Sequence, residues 1–411
     1  MFGVSDFWRW RGWRYIWMII FGGMLAGKTA VLHAQSPVLA LASEADYTYG
    51  QEIRFHLTGQ VDQPVAEINL FMQAPELPHT FAVAVSLPES SADVLDVWQT
   101  VDLTQLRLAP FTTVTYWWSV RFVSGEELET AEQHFRYEDN QFVWREVTRD
   151  GITAHWTGDD ATLGQLVVDV IVEATPRLAR WLPVEQPMVL DVYVYPSAAD
   201  LRAALRLTGR DWVGAHAEPE LGVLLVTAVN SRTAATDLRR SVPHELTHWL
   251  LYQAVTANYE SVPLWFNEGL ATLAESSPDP VYDLLLETAV NNNDLIPFSQ
   301  LCHQFPTSRD EALLAYAQSV SLVSYIQLRY GDSAIRQMVD AFADGADCET
   351  AVFRTLNLTL NDLVSDWLDQ QQTRSPFTRF WLENRLWLIL LLGSFAITTL
   401  LLLSNRQGDI Q

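Results

Sequence analysis

Lysine is nearly missing from this chain: Lys28 is the only one in 411 residues. Lysine and arginine together number 26 against 50 acidic side chains, for a net charge of −24. Phosphate binding needs a basic surface, so nucleic acid is not an expected partner. Charged residues make up only 18% and hydrophobic ones 49%, so the composition lacks the polarity of a disordered chain. Cysteine is scarce too. Cys302 and Cys348 are the only two, and their spacing does not resemble a metal site. One disulfide and two buried free thiols both fit. There is no internal repeat and no low-complexity segment. The length suits two or three domains.

Long apolar runs are confined to the two ends. Arg9, Arg11 and Arg14 precede an apolar run from Tyr15 to Ala26, followed by Leu32-His33-Ala34. That pattern looks like a secretory signal over residues 1–34. Leu386 to Ser404 is uncharged over a length that spans a bilayer core, and predicts a transmembrane helix over 386–404 with a short tail at 405–411. Together the ends predict a single-pass cell-membrane protein whose body is extracytoplasmic. Arg374, Arg379 and Arg385 would then lie on the exported side, against the positive-inside tendency.

Between the ends the periodicity changes once. Up to Trp144 apolar residues alternate with polar ones, as in Ile53, Phe55 and Leu57 or Val114, Tyr116, Trp118, Val120 and Phe122. Half-buried strands separated by Gly, Pro, Asp and Ser predict a β-sandwich over 35–145. Trp98, Trp117, Trp118 and Trp144 are expected in its core, with a carbohydrate platform as the alternative. From 146 to 375 strands and helices mix, and from Glu268 to Gln372 nearly everything has helical period. The expected class is α+β: a sandwich, a mixed-sheet lobe, a helical lobe and the C-terminal transmembrane helix.

The chemistry concentrates at His244-Glu245-Leu246-Thr247-His248. Positions four apart on a helix are separated by roughly 400° of rotation, so both imidazoles share a face and can bind one Zn²⁺. Glu245 lies beside them, where a carboxylate can take a proton from water. Pro243 suggests that the helix restarts there, with Ser241 as N-cap. A catalytic zinc takes three protein ligands. Glu268, within Trp265-Phe266-Asn267-Glu268-Gly269-Leu270-Ala271, is far enough on to return from a second helix. Its bland reading is an acid at a helix start.

HELTH followed by WFNEGLA resembles the gluzincin metallopeptidases, above all the aminopeptidase N-like enzymes and the peptidase MA-like proteins. The resemblance covers about 146–372. It implies a zincin-like domain with one zinc on His244, His248 and Glu268, Glu245 as general base, and a peptide or protein substrate. Tyr316-Ala317-Gln318-Ser319 resembles the aminopeptidase helix whose leading tyrosine bonds the oxyanion, so Tyr316 is a second expected catalytic residue. Gly214-Ala215-His216-Ala217-Glu218 resembles the stretch lining the substrate cleft, with the strand Leu221–Val229 expected to pair with an extended peptide. Ala217 stands where the amine-reading glutamate belongs, which puts aminopeptidase specificity in doubt. His303 has no motif around it. The competing function is a membrane-anchored binding or scaffold protein with a structural or vestigial zinc. Oligomeric state is not readable.

Overall fold

The computed structural model describes residues 38–372, except 76, 88–93, 105, 107, 186–187, 206–213, 229–231 and 277, and also 384–385, 387–391 and 394. The expected signal (1–34) and tail (405–411) lie outside these residues. The fold is a mixed α/β arrangement of three sheets and a helical lobe.

The first two sheets face each other. β1 (Val38–Thr48), β2 (Glu52–Val61) and β5 (Val94–Asp102) form one antiparallel sheet. β3 (Val65–Gln73), β4 (Phe81–Val85) and β6 (Thr113–Phe122) form the other, and β7 (Glu127–Glu129) and β8 (Gln133–Arg136) both pair with β6. Successive strand residues point to opposite faces, so Ile53, Phe55 and Leu57 meet Leu70, Tyr116 and Trp118 in one core. The tryptophans divide. Trp118 is buried and donates to Ser43 Oγ, while Trp98 is 55% exposed and stacks on His56.

The third sheet runs in the order β12 (His216–Glu218), β13 (Val223–Thr227), β11 (Leu190–Tyr195), β10 (Ile152–Trp156) and β9 (Arg145–Arg149). β10, β11 and β13 are parallel, and the two outer strands are antiparallel to their neighbours. The continuous apolar runs of β11 and β13 reflect burial on both faces. Val192, Val194, Leu224 and Val226 pack under α1 (Thr162–Leu178) and α3 (Ala234–Val255). Tyr193, Tyr195, Val223 and Leu225 point the other way, into the sandwich core, together with α2 (Ala198–Leu205). Phe111 stacks on Tyr193 at 3.8 Å, and Arg136 Nη1 donates to Asp191 at 2.8 Å. The sandwich is therefore the second cover of this sheet.

The helical lobe comprises α4 (Leu264–Ala274), α5 (Val281–Asn292), α6 (Phe298–Leu301), α7 (Arg309–Tyr330), α8 (Asp332–Ala343), α9 (Cys348–Leu356) and α10 (Leu360–Gln372). A Cys302–Cys348 disulfide joins the end of α6 to the start of α9, which decides between the two states the sequence allowed.

Two expectations are corrected here. The transmembrane helix over 386–404 is not supported: among the described residues, no helix is long and apolar enough to cross a membrane. Of residues 386–404, 387–391 and 394 are described and helical, and the rest of that stretch lies outside the described residues. The C-terminal transmembrane helix of the expected fold class and the single-pass membrane placement that rests on it are therefore not supported. Second, α3 does not restart at Pro243 but runs unbroken from Ala234, with Ser241 Oγ donating back to Asp237 O instead of capping.

Candidate metal centre

Two stripes on α3 determine what it packs against and what it offers. Leu238, Val242, Leu246 and Leu250 recur every fourth residue and are buried. Arg240, His244 and His248 form a second stripe with the same spacing, directed toward α4. Proline has no N–H to give its i−4 carbonyl, so Pro243 leaves the Arg239 carbonyl free within the helix. That carbonyl accepts the Ser276 N–H at 3.0 Å. The tie holds the end of α4 beside α3.

α4 brings Glu268 to the histidines. Its close approach to α7 depends on Gly269: a Cβ there would lie 2.6 Å from Ser319 O and 2.7 Å from Val323 Cγ2. The glycine after the glutamate thus lets α7 come near enough for Tyr316 to reach the same region.

One donor atom each from His244, His248 and Glu268 lies within 4.8 Å of the others. His244 Nε2 is 3.4 Å and His248 Nε2 3.6 Å from Glu268 Oε2. These are charge contacts, and Oε2 is buried with no hydrogen bond. The opposite ring nitrogens are occupied. His244 Nδ1 lies 3.0 Å from Glu275 Oε1, and His248 Nδ1 lies 2.7 Å from Asn267 Oδ1. Nδ1 of His244 donates to Glu275, which leaves Nε2 as the ring nitrogen that faces Glu268. Asn267 Nδ2 in turn donates to Tyr259 Oη at 3.2 Å, which orients its oxygen toward His248.

The electrostatics describe a place that wants positive charge. Burial by itself lowers the pKa of both imidazoles, but Glu268, joined at His244 by Glu275, outweighs it and raises both. Burial would raise Glu268, yet the two histidines hold it far below the usual carboxylate range. A divalent cation would take over the role of the imidazole protons. Two imidazole nitrogens and a carboxylate oxygen suit Zn²⁺, and the hydrogen-bonded outer nitrogens are the support such ligands use. The residues fit the metal.

The other expected site residues are placed as follows. Glu245 is buried next to His244, and its charge acts on both histidines. Tyr316 lies two turns inside α7 instead of opening it, since α7 starts at Arg309. Its ring is 6.2 Å from that of His244 and 4.9 Å from that of Phe305. Burial, then the Glu268 and Glu245 charges, push its phenol pKa well up, so it stays a donor.

The cleft edge differs from expectation. β13 is flanked by β11 and β12 and offers no free edge; β12 is the edge strand. Residues paired across strands share a face. Glu218 pairs with Val223, and His216 with Leu225, both on the sandwich side of the sheet. His216 Nε2 contacts Glu218 Oε1 at 3.0 Å there. Ala217 points to the metal side, so neither His216 nor Glu218 is directed at the metal donors. His303, exposed beyond α6, is not part of the metal group.

Sequence reasoning missed Glu275 and gave Asn267 no role. Asn267 was legible within the WFNEGLA phrase as the neighbour of a ligand. Glu275 stands seven residues past Glu268, two helical turns along the same face, and that spacing was the available signal.

Two histidines a turn apart on one buried helix, facing a glutamate from a second helix, define a gluzincin-like metal-binding class. Residues 171–372 match the family model of the peptidase MA superfamily. No curated protein matches the chain. Among solved structures, a myokine is similar at 10% identity and a TM-score of 0.19, over 25% of this chain and 99% of its own. A cycloalternan-degrading enzyme from Trueperella pyogenes is similar at 12% and 0.17, over 27% of this chain and 16% of its own. A polysaccharide deacetylase from Bacillus cereus is similar at 7% and 0.20, over 41% of this chain and 54% of its own. The match spans less than two thirds of the latter two, and likeness this slight carries no argument.

Proposed function

We propose that this chain is a zinc-dependent peptidase with a single metal site. The superfamily match supports a peptidase in general. The observation that carries the zinc reading is the donor set. Two imidazole Nε2 atoms with their Nδ1 partners satisfied converge on a buried carboxylate oxygen that has no hydrogen bond. His244, His248 and Glu268 hold the ion. When bound, zinc supplies Lewis acidity toward water and toward the scissile carbonyl, lowering the pKa of water to about 7. Glu245 takes the proton from the attacking water and delivers it to the leaving amine. Tyr316 donates its O–H to the carbonyl oxygen as negative charge develops there. The substrate is a peptide or protein.

The competing reading, a binding or scaffold protein with structural zinc, calls for a closed four-ligand site. Three donors converge among the described residues, which favours the open, catalytic kind. The test is cleavage of a peptide library by the wild type and Glu245→Gln, each with and without a chelator. The expected result is turnover by the wild type that the chelator abolishes, and none by a Glu245→Gln protein that still holds zinc. Equal turnover by both proteins rejects the mechanism. Zinc with no cleavage of any peptide favours the scaffold reading.

A further inference from the structure

Glu275 is a buried carboxylate in an unfavourable place. Its side chain is 4% exposed and stands at the C-terminal end of α4, where the helix carbonyls already present partial negative charge. Oε1 accepts from His244, while Oε2 has no hydrogen bond. A buried charge needs partners, and beside His244 on one oxygen Arg240 approaches the other. Its Nε lies 4.0 Å from Glu275 Oε2 and its Nη1 3.4 Å from Asp279 Oδ2. Arg240 is one turn before His244 on the same stripe of α3. The surroundings hold this end of α4 in place: Arg177 donates to Ala274 O and to Ser276 Oγ, and the Arg239 carbonyl accepts from Ser276.

We infer that Arg240, held by Asp279, is a positioning residue for the metal centre: it keeps the Glu275 carboxylate inward, against His244 Nδ1. Without the guanidinium, Glu275 turns toward water, His244 loses its anchor, and Nε2 is no longer aimed at Glu268. The inference rests on the zinc reading above. Lysine at 240 keeps the charge but not the fork that spans two carboxylates, so it restores only part of the function.

The test measures zinc affinity of the full chain by competition with a chromophoric chelator, for wild type, Arg240→Ala, Arg240→Lys, Glu275→Gln and Arg240→Ala/Glu275→Gln. The Co²⁺ visible spectrum of each reports ligand geometry. Outer-shell residues of this kind contribute roughly 10–100-fold to metal affinity. Arg240→Ala is expected to weaken zinc about tenfold or more and alter the Co²⁺ spectrum, with Arg240→Lys in between. In the Glu275→Gln background, Arg240→Ala is expected to change affinity by about twofold or less, because the two act in series. A merely structural role would lower the thermal midpoint of the metal-free protein and leave zinc affinity unchanged. If Arg240→Ala fails to fold, Asp279→Asn loosens the same guanidinium and is expected to shift affinity in the same direction. Wild-type affinity in Arg240→Ala, or full additivity with Glu275→Gln, overturns the inference. A wild type that binds no zinc overturns the peptidase reading on which it rests.

Discussion

The Arg239 carbonyl accepts the Ser276 N–H at 3.0 Å, across the gap between the helix that carries the histidines and the helix that carries the glutamate. Pro243 makes this possible by donating nothing to that carbonyl. A residue that weakens α3 as a helix thus supplies the tie that sets Glu268 and Glu275 against it. Ser276→Pro removes the donor. Glu275 already has φ −60° and ψ 134°, a conformation that a following proline accepts. The expected cost is about 1–3 kcal/mol in urea unfolding, the range for a carbonyl left unpaired. Zinc affinity should fall with it. Unchanged stability and affinity would mean the tie contributes nothing.

Tyr316→Phe removes one hydroxyl and leaves the ring packed on Phe305 and near His244. Zinc content and thermal midpoint should hold. Turnover should fall by roughly 10²–10³-fold, the usual size for one oxyanion donor. A variant that cleaves peptides at the wild-type rate would remove Tyr316 from the chemistry.

These residues were legible to different depths, for physical reasons. Glu268 could be read because the WFNEGLA phrase around it is specific, and HELTH because ligand spacing on a helix is local. The alternating strands of the sandwich were readable for the same reason, and so was the shift to helical period after Glu268. The start of α3 was misread because Pro243 usually marks a helix start, and only the fold of α4 shows where the freed carbonyl goes. The cleft edge was misread because strand order is a long-range property: nothing local to Leu221–Val229 says that β12 covers it. The pairing of Cys302 with Cys348 and the Glu275–Arg240 contact depend on helices packing together. The apolar run at 386–404 has the composition of a span, but most of it lies outside the described residues, among which no helix is long and apolar enough to cross a membrane.

The metal-free protein should show a specific pH dependence. The pKa values of His244 and His248 are raised above the ordinary 6.5 in the folded chain, and that of Glu268 is lowered below 4.5. Raised imidazoles stabilise fully below 6.5, and that contribution is lost as pH climbs through their folded values. A lowered carboxylate stabilises above 4.5 and loses its contribution as pH falls through its folded value. The cluster therefore stabilises the apo protein most between those two limits, and less above 6.5. Zinc affinity should rise with pH over the same upper range, because both Nε2 atoms must shed protons. Chelator-treated protein melted at a series of pH values checks the first point. Stability of the apo protein that rises from pH 6.5 to 8.5 would contradict it.

The sandwich should be indispensable for the sheet beneath it. Val223 and Leu225 each gain about 1.5–3 kcal/mol from burial, and together with Tyr193 and Tyr195 they sit in the sandwich core. A chain starting at residue 145 exposes that face. It should aggregate or lose its near-ultraviolet circular dichroism. A soluble, cooperatively melting truncation would show that the two units fold independently.

The most direct measurement is zinc stoichiometry by mass spectrometry of the purified protein, beside His248→Ala and Glu268→Gln. The wild type should hold one zinc per chain. His248→Ala should hold none, and Glu268→Gln should lose it on brief dialysis. A wild type without zinc, or variants that keep it as firmly as the wild type, would contradict a metal centre built on His244, His248 and Glu268.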